Sequence, residues 1–463
     1  MICDIAILNS KIVTPEGIYE GNIGVRNGKV ICIAGKGIDI QADKKIDANG
    51  LLVLPGAVDV HYHIREPAYP EREDFLTGTK AALSGGTTTI LEMPTSIPPV
   101  YNRQTFEDRK KLLFGRSYTD FGLYGGCGGT REDILSQKDA GAIGYKIFLH
   151  RPPMGKEDIM GKLCITDDDL LLEVFDSIVE TGLPIAIHAE DDSILYFYMR
   201  RFRERIDPLA FCKANPPLAE IAALSKLMFF ARIWGQKLKI HFVHLSTKEA
   251  VYLIRKMRGL HLDVTCETCP HYLLFTEKEM EKLGPYAKVS PPLRSSEDQL
   301  ALWKALKDGT INIVASDHAP YTAKEKEEGW KNIWLAPSGL PGGELLYPIM
   351  VSKALEGLIS LNKVVEVLCK NPAYRFQLYP EKGVLQVGSD ADIVIVDPNI
   401  KWVVDHSKML TKSRDSALIY DGLLIRGKVV KVILRGLEVY SDNEVIGKPQ
   451  GIFLTPKITS LTQ

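Results

Sequence analysis

A chain of 463 residues that is 45% hydrophobic and 25% charged has the composition of an ordinary globular protein, with room for a large catalytic domain and a smaller partner. Its formal net charge of -1 gives no broad attraction to nucleic acid or anionic membrane, and no Arg/Lys block studded with aromatics supplies a local one. No apolar run approaches the roughly 18–20 residues of a membrane span, so the expected partner is a small molecule.

The opening segment, MICDIAILNSKIVTPEG, lacks the basic start and apolar block of a secretory signal and alternates like a strand. Residues 1–55 read as short strands, with Asn27-Gly28 between alternating segments as a hairpin turn. From 56 to 377, short apolar strands alternate with longer amphipathic segments. Strands are expected in AVDVHYHI, TTTILEM, DFGLYGG, GYKIFL, PIAIHAE, KIHFVHLS, HLDVTCETC and NIVASDH. Helices are expected in FLTGTKAALSGG, TDDDLLLEVFDSIVETG, LAEIAALSKLMFFARIWG and TKEAVYLIRKMRG. The basic run EDRKKLLFGR reads as a solvated helix face. This alternation predicts an α/β fold, a parallel (β/α)8 barrel. The absence of a G-x-G-x-x-G after an early strand argues against a doubly wound open sheet. Residues 378–463 return to strand texture in GVLQVGSDADIVIVDP and ALIYDGLLIRGKVVKVILRGLEVY, so the two ends are expected to pack together as one small domain.

Eight cysteines are scattered without a disulfide framework, which fits the cytoplasm. Cys266 and Cys269 form a lone C-x-x-C with no second pair to complete a structural zinc site, and on a strand they would face opposite ways. Both read as structural.

Nearly every expected strand that carries His, Lys or Asp carries it at its C-terminal end, and in a parallel barrel those ends form one rim. Strand alternation puts His61, His63 and Arg65 on one face, where two imidazoles can converge on a metal ion. His188 closes PIAIHAE, His244 closes KIHFVHLS and Asp317 lies in NIVASDH. An unpaired carboxylate at such a place needs a cation or a donor. His241, three residues before His244, is expected to face away and to be structural. Lys146 stands inside an apolar strand, where a lysine meets a desolvation penalty or loses its proton.

These motifs in their order, D-V-H-x-H, the strand lysine, H-A-E, H-x-S, C-P-H-Y and S-D-H-A-P, resemble the cyclic amidohydrolases of the amidohydrolase superfamily. That group comprises hydantoinases, dihydropyrimidinases, allantoinases and dihydroorotases, and the resemblance runs from about Leu8 to about Gly436. It implies a barrel with a small β-sandwich built from both termini, and a homodimer or homotetramer. It implies two divalent metal ions, zinc by expectation, bridged by a carboxylated Lys146. His61, His63 and Asp317 would then hold one ion, and His188 and His244 the other. The implied reaction is hydrolysis of the C–N bond of a cyclic amide or ureide by a metal-bridging hydroxide, with Asp317 moving the proton to the leaving nitrogen.

For the ring itself, EMPTSIPPV, GPYAKVSPPLRSSEDQLALWKALKDG and LYPEKGVLQVGSDADIVIVDP resemble the hydantoinase and dihydropyrimidinase branch, with some allantoinase character. That branch implies Ser290 and Ser338 at the ring's amide edge. HYHIREP, DHAPYTAKEKEEGW and LAPSGLPGGELLYP resemble dihydroorotase, in which Arg65 would fork onto a substrate carboxylate. Thr95 and Ser290, however, stand where dihydroorotases place asparagine. The loop from His150 to Leu163 carries no tyrosine, where related hydantoinases place a substrate-contacting one, and His150 and Arg151 are expected to be solvated. A hydantoinase-like activity leads, dihydroorotase is the alternative, and a non-catalytic scaffold is opposed by the presence of all six ligand positions.

Overall fold

The fold is taken from a computed structural model that describes residues 2–153 and 155–457; Met154, in the 150–163 loop, lies outside the described residues. Eight parallel strands follow one another in chain order around a barrel. They are Ala57–Tyr62, Thr87–Glu92, Asp120–Gly126, Gly144–Phe148, Ile185–His188, Ile240–Phe242, Val264–Thr268 and Ile313–Val314. A parallel bridge between Tyr62 and His318, with the His63 N–H donating to the His318 carbonyl at 2.9 Å, joins the first strand to the chain leaving the eighth. Most of these strands are buried along their whole length, which is why they read as continuous apolar runs rather than alternating ones.

Helices close each unit, and their starts are set by side chains that accept orphan N–H groups. Asp74 caps Phe75–Ser84, Asn102 caps Arg103–Leu113 and Thr130 caps Arg131–Asp139, each in a reciprocal capping box. Asp168–Thr181 ends at Gly182, whose φ of 69° is the left-handed stop that glycine adopts freely. No helix among the described residues is long and apolar enough to cross a membrane.

Both chain ends meet in a second, nine-stranded sheet. Leu52–Pro55, from the N-terminal part, pairs antiparallel with Ile393–Val403, with Val53 opposite Ile395. Ile5, Ile7, Ile23, Val53, Ile393 and Ile433 give this sheet an apolar core of its own. One residue, Gly56, separates its strand Leu52–Pro55 from the first barrel strand. A Cβ there would lie 2.1 Å from the Thr88 hydroxyl oxygen, so the close approach requires glycine. The last described residues come back to the barrel: Leu454 N–H donates to the Phe121 carbonyl at 2.8 Å, and the Phe453 ring lies 5.7 Å from that of Phe121.

Where sheet and barrel meet, Lys382 is 2% exposed and its ammonium lies 2.5 Å from Asp120, 2.9 Å from Asp390 and 2.8 Å from Asp392. Arg435 also pairs with Asp120. Removing the central cation would leave three carboxylates sharing a poorly solvated site. Lys382→Met is therefore expected to lower unfolding free energy by about 3–5 kcal/mol, the cost of an uncompensated buried charge, read from denaturant midpoints. A change below about 1 kcal/mol would show the cluster to be as weak as a surface pair.

Candidate metal centre

The strands run parallel, so their C-terminal ends deliver side chains to a single rim. His61 is the penultimate residue of the first strand and His63 lies just beyond its end; Lys146 is in the fourth strand and His188 ends the fifth. The sixth and eighth strands are shorter than the sequence suggests. Strand pairing ends at Phe242 and Val314, so His244 and Asp317 lie past it, and each has a left-handed backbone, with φ of 37° and 45°. For non-glycine residues this costs on the order of 1–3 kcal/mol and persists only where neighbours enforce it. Alternation along a strand therefore does not reach His244, and facing in the sheet does not by itself decide the roles of His241 and His244.

The six side chains converge. His61 Nε2 lies 3.3 Å and His63 Nε2 3.4 Å from one Asp317 oxygen. His188 Nδ1 lies 2.9 Å from His244 Nε2. The His61 and His244 rings, 5.4 Å apart between centroids, connect the two groups. Lys146 is fully buried, and its Nζ has no hydrogen-bond partner among the described residues. Burial lowers its pKa to about 8, against the opposing pull of Glu267 and Asp317. Burial also holds His63, His188 and His244 well below the ordinary imidazole value, so their free nitrogens offer lone pairs. Asp317 is pushed up by burial and drawn down by His61 and Lys146. The donor atoms of His61, His63 and Asp317 all lie within 4.8 Å of one another. Neutral imidazoles, a carboxylate and an orphaned amine form a donor set that fits divalent metal ions.

Side chains behind the ligands hold these groups in place, among them Glu267 and Glu190, which the sequence did not single out, and Thr95, which it did. Glu267 spans two histidines: one oxygen is 2.5 Å from His61 Nδ1, the other 2.9 Å from His241 Nε2. His241 is thus buried and structural, yet tied to the site. Thr95 Oγ1 meets His63 Nδ1 at 2.7 Å, and Glu190 meets His188 Nε2 at 2.7 Å. Arg109 corrects the expectation that EDRKKLLFGR is a solvated face. It is buried, pairs with Glu92, and donates to the Ile64 carbonyl at 3.0 Å, between His63 and Arg65. A signal for Glu190 and Glu267 was present, since an acid closing an apolar strand needs a partner. For Glu267 it was masked by the flanking cysteines. Cys266 lies in the seventh strand and Cys269 just beyond it at the start of helix Pro270–Leu274; both are buried free thiols with raised pKa.

The expected substrate contacts are spread around the rim. Arg65 is buried, donates to the Pro320 carbonyl at 3.3 Å and packs 4.8 Å over the Tyr321 ring. The Thr95 hydroxyl is engaged by His63. Ser290 is half-buried and, with Arg294, opposes the upward push of burial on the Glu190 carboxyl. Ser338 is half-buried in the segment joined to the rim by the His318–Leu340 bridge. The expectation that His150 is solvated is wrong: it is buried, its ring stands edge-on to His188 at 4.7 Å, and its Nδ1 meets the Arg151 carbonyl at 2.7 Å. Arg151 is exposed and paired with Asp192 at 2.6 Å. Farther along the same loop, Lys156 Nζ donates to the Tyr321 hydroxyl at 2.6 Å.

Residues 52–439 match the amidohydrolase family. The chain is 36% identical to an L-hydantoinase of Paenarthrobacter aurescens over 96% of each chain, and 35% identical to an allantoinase of Bacillus velezensis over 98% of each. Among solved structures, the L-hydantoinase (dihydropyrimidinase) from Arthrobacter aurescens superposes with a TM-score of 0.92 at 35% identity, covering 98% of this chain and 100% of that one. The chain belongs to the amidohydrolase family.

Proposed function

We propose that the protein is a two-metal hydrolase that opens the C–N bond of a cyclic amide or ureide, with a hydantoin or dihydropyrimidine as the leading substrate and allantoin next. In this reading residues 56–377 carry the chemistry, and 1–55 with 378–463 supply the small domain. The observation that carries it is the convergence of His61, His63 and Asp317 on one side, and His188 with His244 on the other, about the buried amine of Lys146, which has no hydrogen-bond partner among the described residues. A lysine with a pKa near 8 has a substantial neutral fraction at physiological pH, and a neutral amine is the nucleophile that takes up carbon dioxide. The carbamate so formed would turn an unsatisfied donor into an anion able to hold two cations. His61, His63 and Asp317 would hold one and His188 and His244 the other, with zinc the expected metal.

Bound there, such ions lower the pKa of a water molecule and polarise the substrate carbonyl. The remaining steps fall to the chain's own residues. Asp317, 3.3 Å from His61 and 3.4 Å from His63, would accept the water's proton and return it to the departing ring nitrogen. Glu267 and Thr95 keep His61 and His63 turned inward. The segments around Ser290 and Ser338 flank the rim, where their backbone groups would meet the ring's amide edge. Thr95, in the place of a dihydroorotase asparagine, is already committed to His63, which favours the hydantoinase-like reading over dihydroorotase. A cytoplasmic homodimer or homotetramer is the accompanying expectation from the family resemblance.

Offered hydantoin, dihydrouracil, allantoin and dihydroorotate, the metal-loaded protein is expected to open hydantoin or dihydrouracil fastest; turnover of dihydroorotate alone would overturn the leading reading. Asp317→Asn is expected to lower kcat by about 10²–10⁴-fold with the fold intact by circular dichroism, and near-normal turnover would remove Asp317 as the proton carrier. Chelation should abolish activity, and recovery should require a divalent ion together with bicarbonate. Lys146→Met should fail to recover and bind fewer ions by elemental analysis; full recovery of this variant would eliminate the bridging carbamate.

A further inference from the structure

Glu190 lies two residues beyond His188 and is 1% exposed, with Oε2 at 2.7 Å from His188 Nε2. Burial pushes the Glu190 carboxyl up and Arg294 draws it down; as a carboxylate it can only accept, and the contact then puts the imidazole proton on Nε2 and leaves the lone pair on Nδ1. Nδ1 is the nitrogen that lies 2.9 Å from His244 Nε2. His61 is arranged the other way round: its Nδ1 is on Glu267 and its Nε2 is turned to Asp317. The two histidines therefore need opposite tautomers, and each has its own buried acid.

The support of Glu190 is itself built in. Arg294 Nη2 lies 3.9 Å from Glu190 Oε1, and both atoms are buried without a hydrogen-bond partner among the described residues. Arg294 is held by Ser246 Oγ at 3.1 Å and by the Asn215 carbonyl at 2.5 Å, and Ser246 donates to Glu220 at 2.7 Å. The guanidinium thus supplies positive charge behind Glu190 without competing for the oxygen that His188 uses. His244 has no comparable partner, because its Nδ1 is buried and unpaired among the described residues. On the other side, both His61 and His63 are oriented by a side chain.

We propose that Glu190, backed by Arg294, is a positioning residue that fixes the His188 tautomer and so sets the affinity of the second metal position independently of the first. The proposal rests on the two-metal reading above. Outer partners of metal-bound histidines are typically worth 10–100-fold in affinity, and here a single carboxylate carries that task for its side of the centre.

Two measurements test it. Metal-stripped protein is titrated with Co²⁺ in bicarbonate buffer, following stoichiometry and the visible spectrum of each bound ion. Wild type is expected to take two ions. Glu190→Ala is expected to keep the first ion's affinity and to weaken the second about 10–100-fold. Glu190→Gln, whose amide oxygen can still accept from Nε2, should restore most of that loss. Unchanged binding of both ions in Glu190→Ala, or equal weakening of both, would overturn the proposal. The second measurement needs no variant: ¹⁵N spectra of histidine-labelled, metal-free wild type should show His188 as the Nε2–H tautomer, and an Nδ1–H tautomer would refute the assignment even if Glu190→Ala failed to fold. Wild type that takes one ion or none would instead overturn the two-metal reading, while the tautomer still reports on Glu190.

Discussion

Lys146 is the group around which the rest of the site makes sense. A primary amine enclosed in a barrel, with no hydrogen-bond partner among the described residues, is among the more costly arrangements a chain can retain. Among the described residues it has no direct ion pair: Asp317 and Glu267 act on it through space, and its Nζ lies 4.7 Å from the centre of the Phe148 ring. Four histidines and an aspartate are gathered nearby, two of these residues in left-handed backbone conformations. Strain, desolvation and an orphaned donor in one place indicate a site organised for something that the protein atoms alone do not provide.

The scaffold supports that concentration in an economical way. Eight parallel strands bring the side chains to one rim, and acids behind the rim decide which nitrogen of His61 and of His188 points inward. Glu267 is used twice, on His61 and on His241, so the sixth and seventh strands are tied to the first through one carboxylate. Arg109 reaches from its helix to the carbonyl of Ile64 and fixes the chain exit between His63 and Arg65. The rim is therefore held from behind by charges that face no solvent.

Much of this was legible in the residues. The barrel followed from the alternation of apolar and amphipathic segments, and the gathering of His61, His63, His188, His244 and Asp317 followed from their recurrence at strand ends. Lys146 was recognisable as out of place, although only family resemblance implied what it becomes. The acids behind the rim carry a weaker signal: Glu190 and Glu267 each close an apolar run and so need a partner, but which imidazole each one meets is decided by tertiary neighbours. His150 and Arg109 were misjudged for a related reason: charge and polarity in a segment describe its average face, whereas burial is decided residue by residue by tertiary neighbours. The lengths of the sixth and eighth strands were overestimated because apolar texture continues past the point where the backbone leaves the sheet.

The junction at Gly56 has a further bearing, on the order in which the molecule is made. Strand Leu52–Pro55 finds its antiparallel partner in Ile393–Val403, more than three hundred residues later, and the last described segment docks on Phe121. During synthesis strand Leu52–Pro55 emerges long before the partner that completes its sheet, whereas each barrel strand after the first pairs with the one just before it in the chain, and only the closure of the eighth on the first spans the whole barrel. Contacts of such long range form late. The barrel is accordingly the part that assembles as the ribosome proceeds. Until the C-terminal strands arrive, the early sheet presents an open edge, a stretch of backbone exposed to mispairing that the finished protein no longer shows.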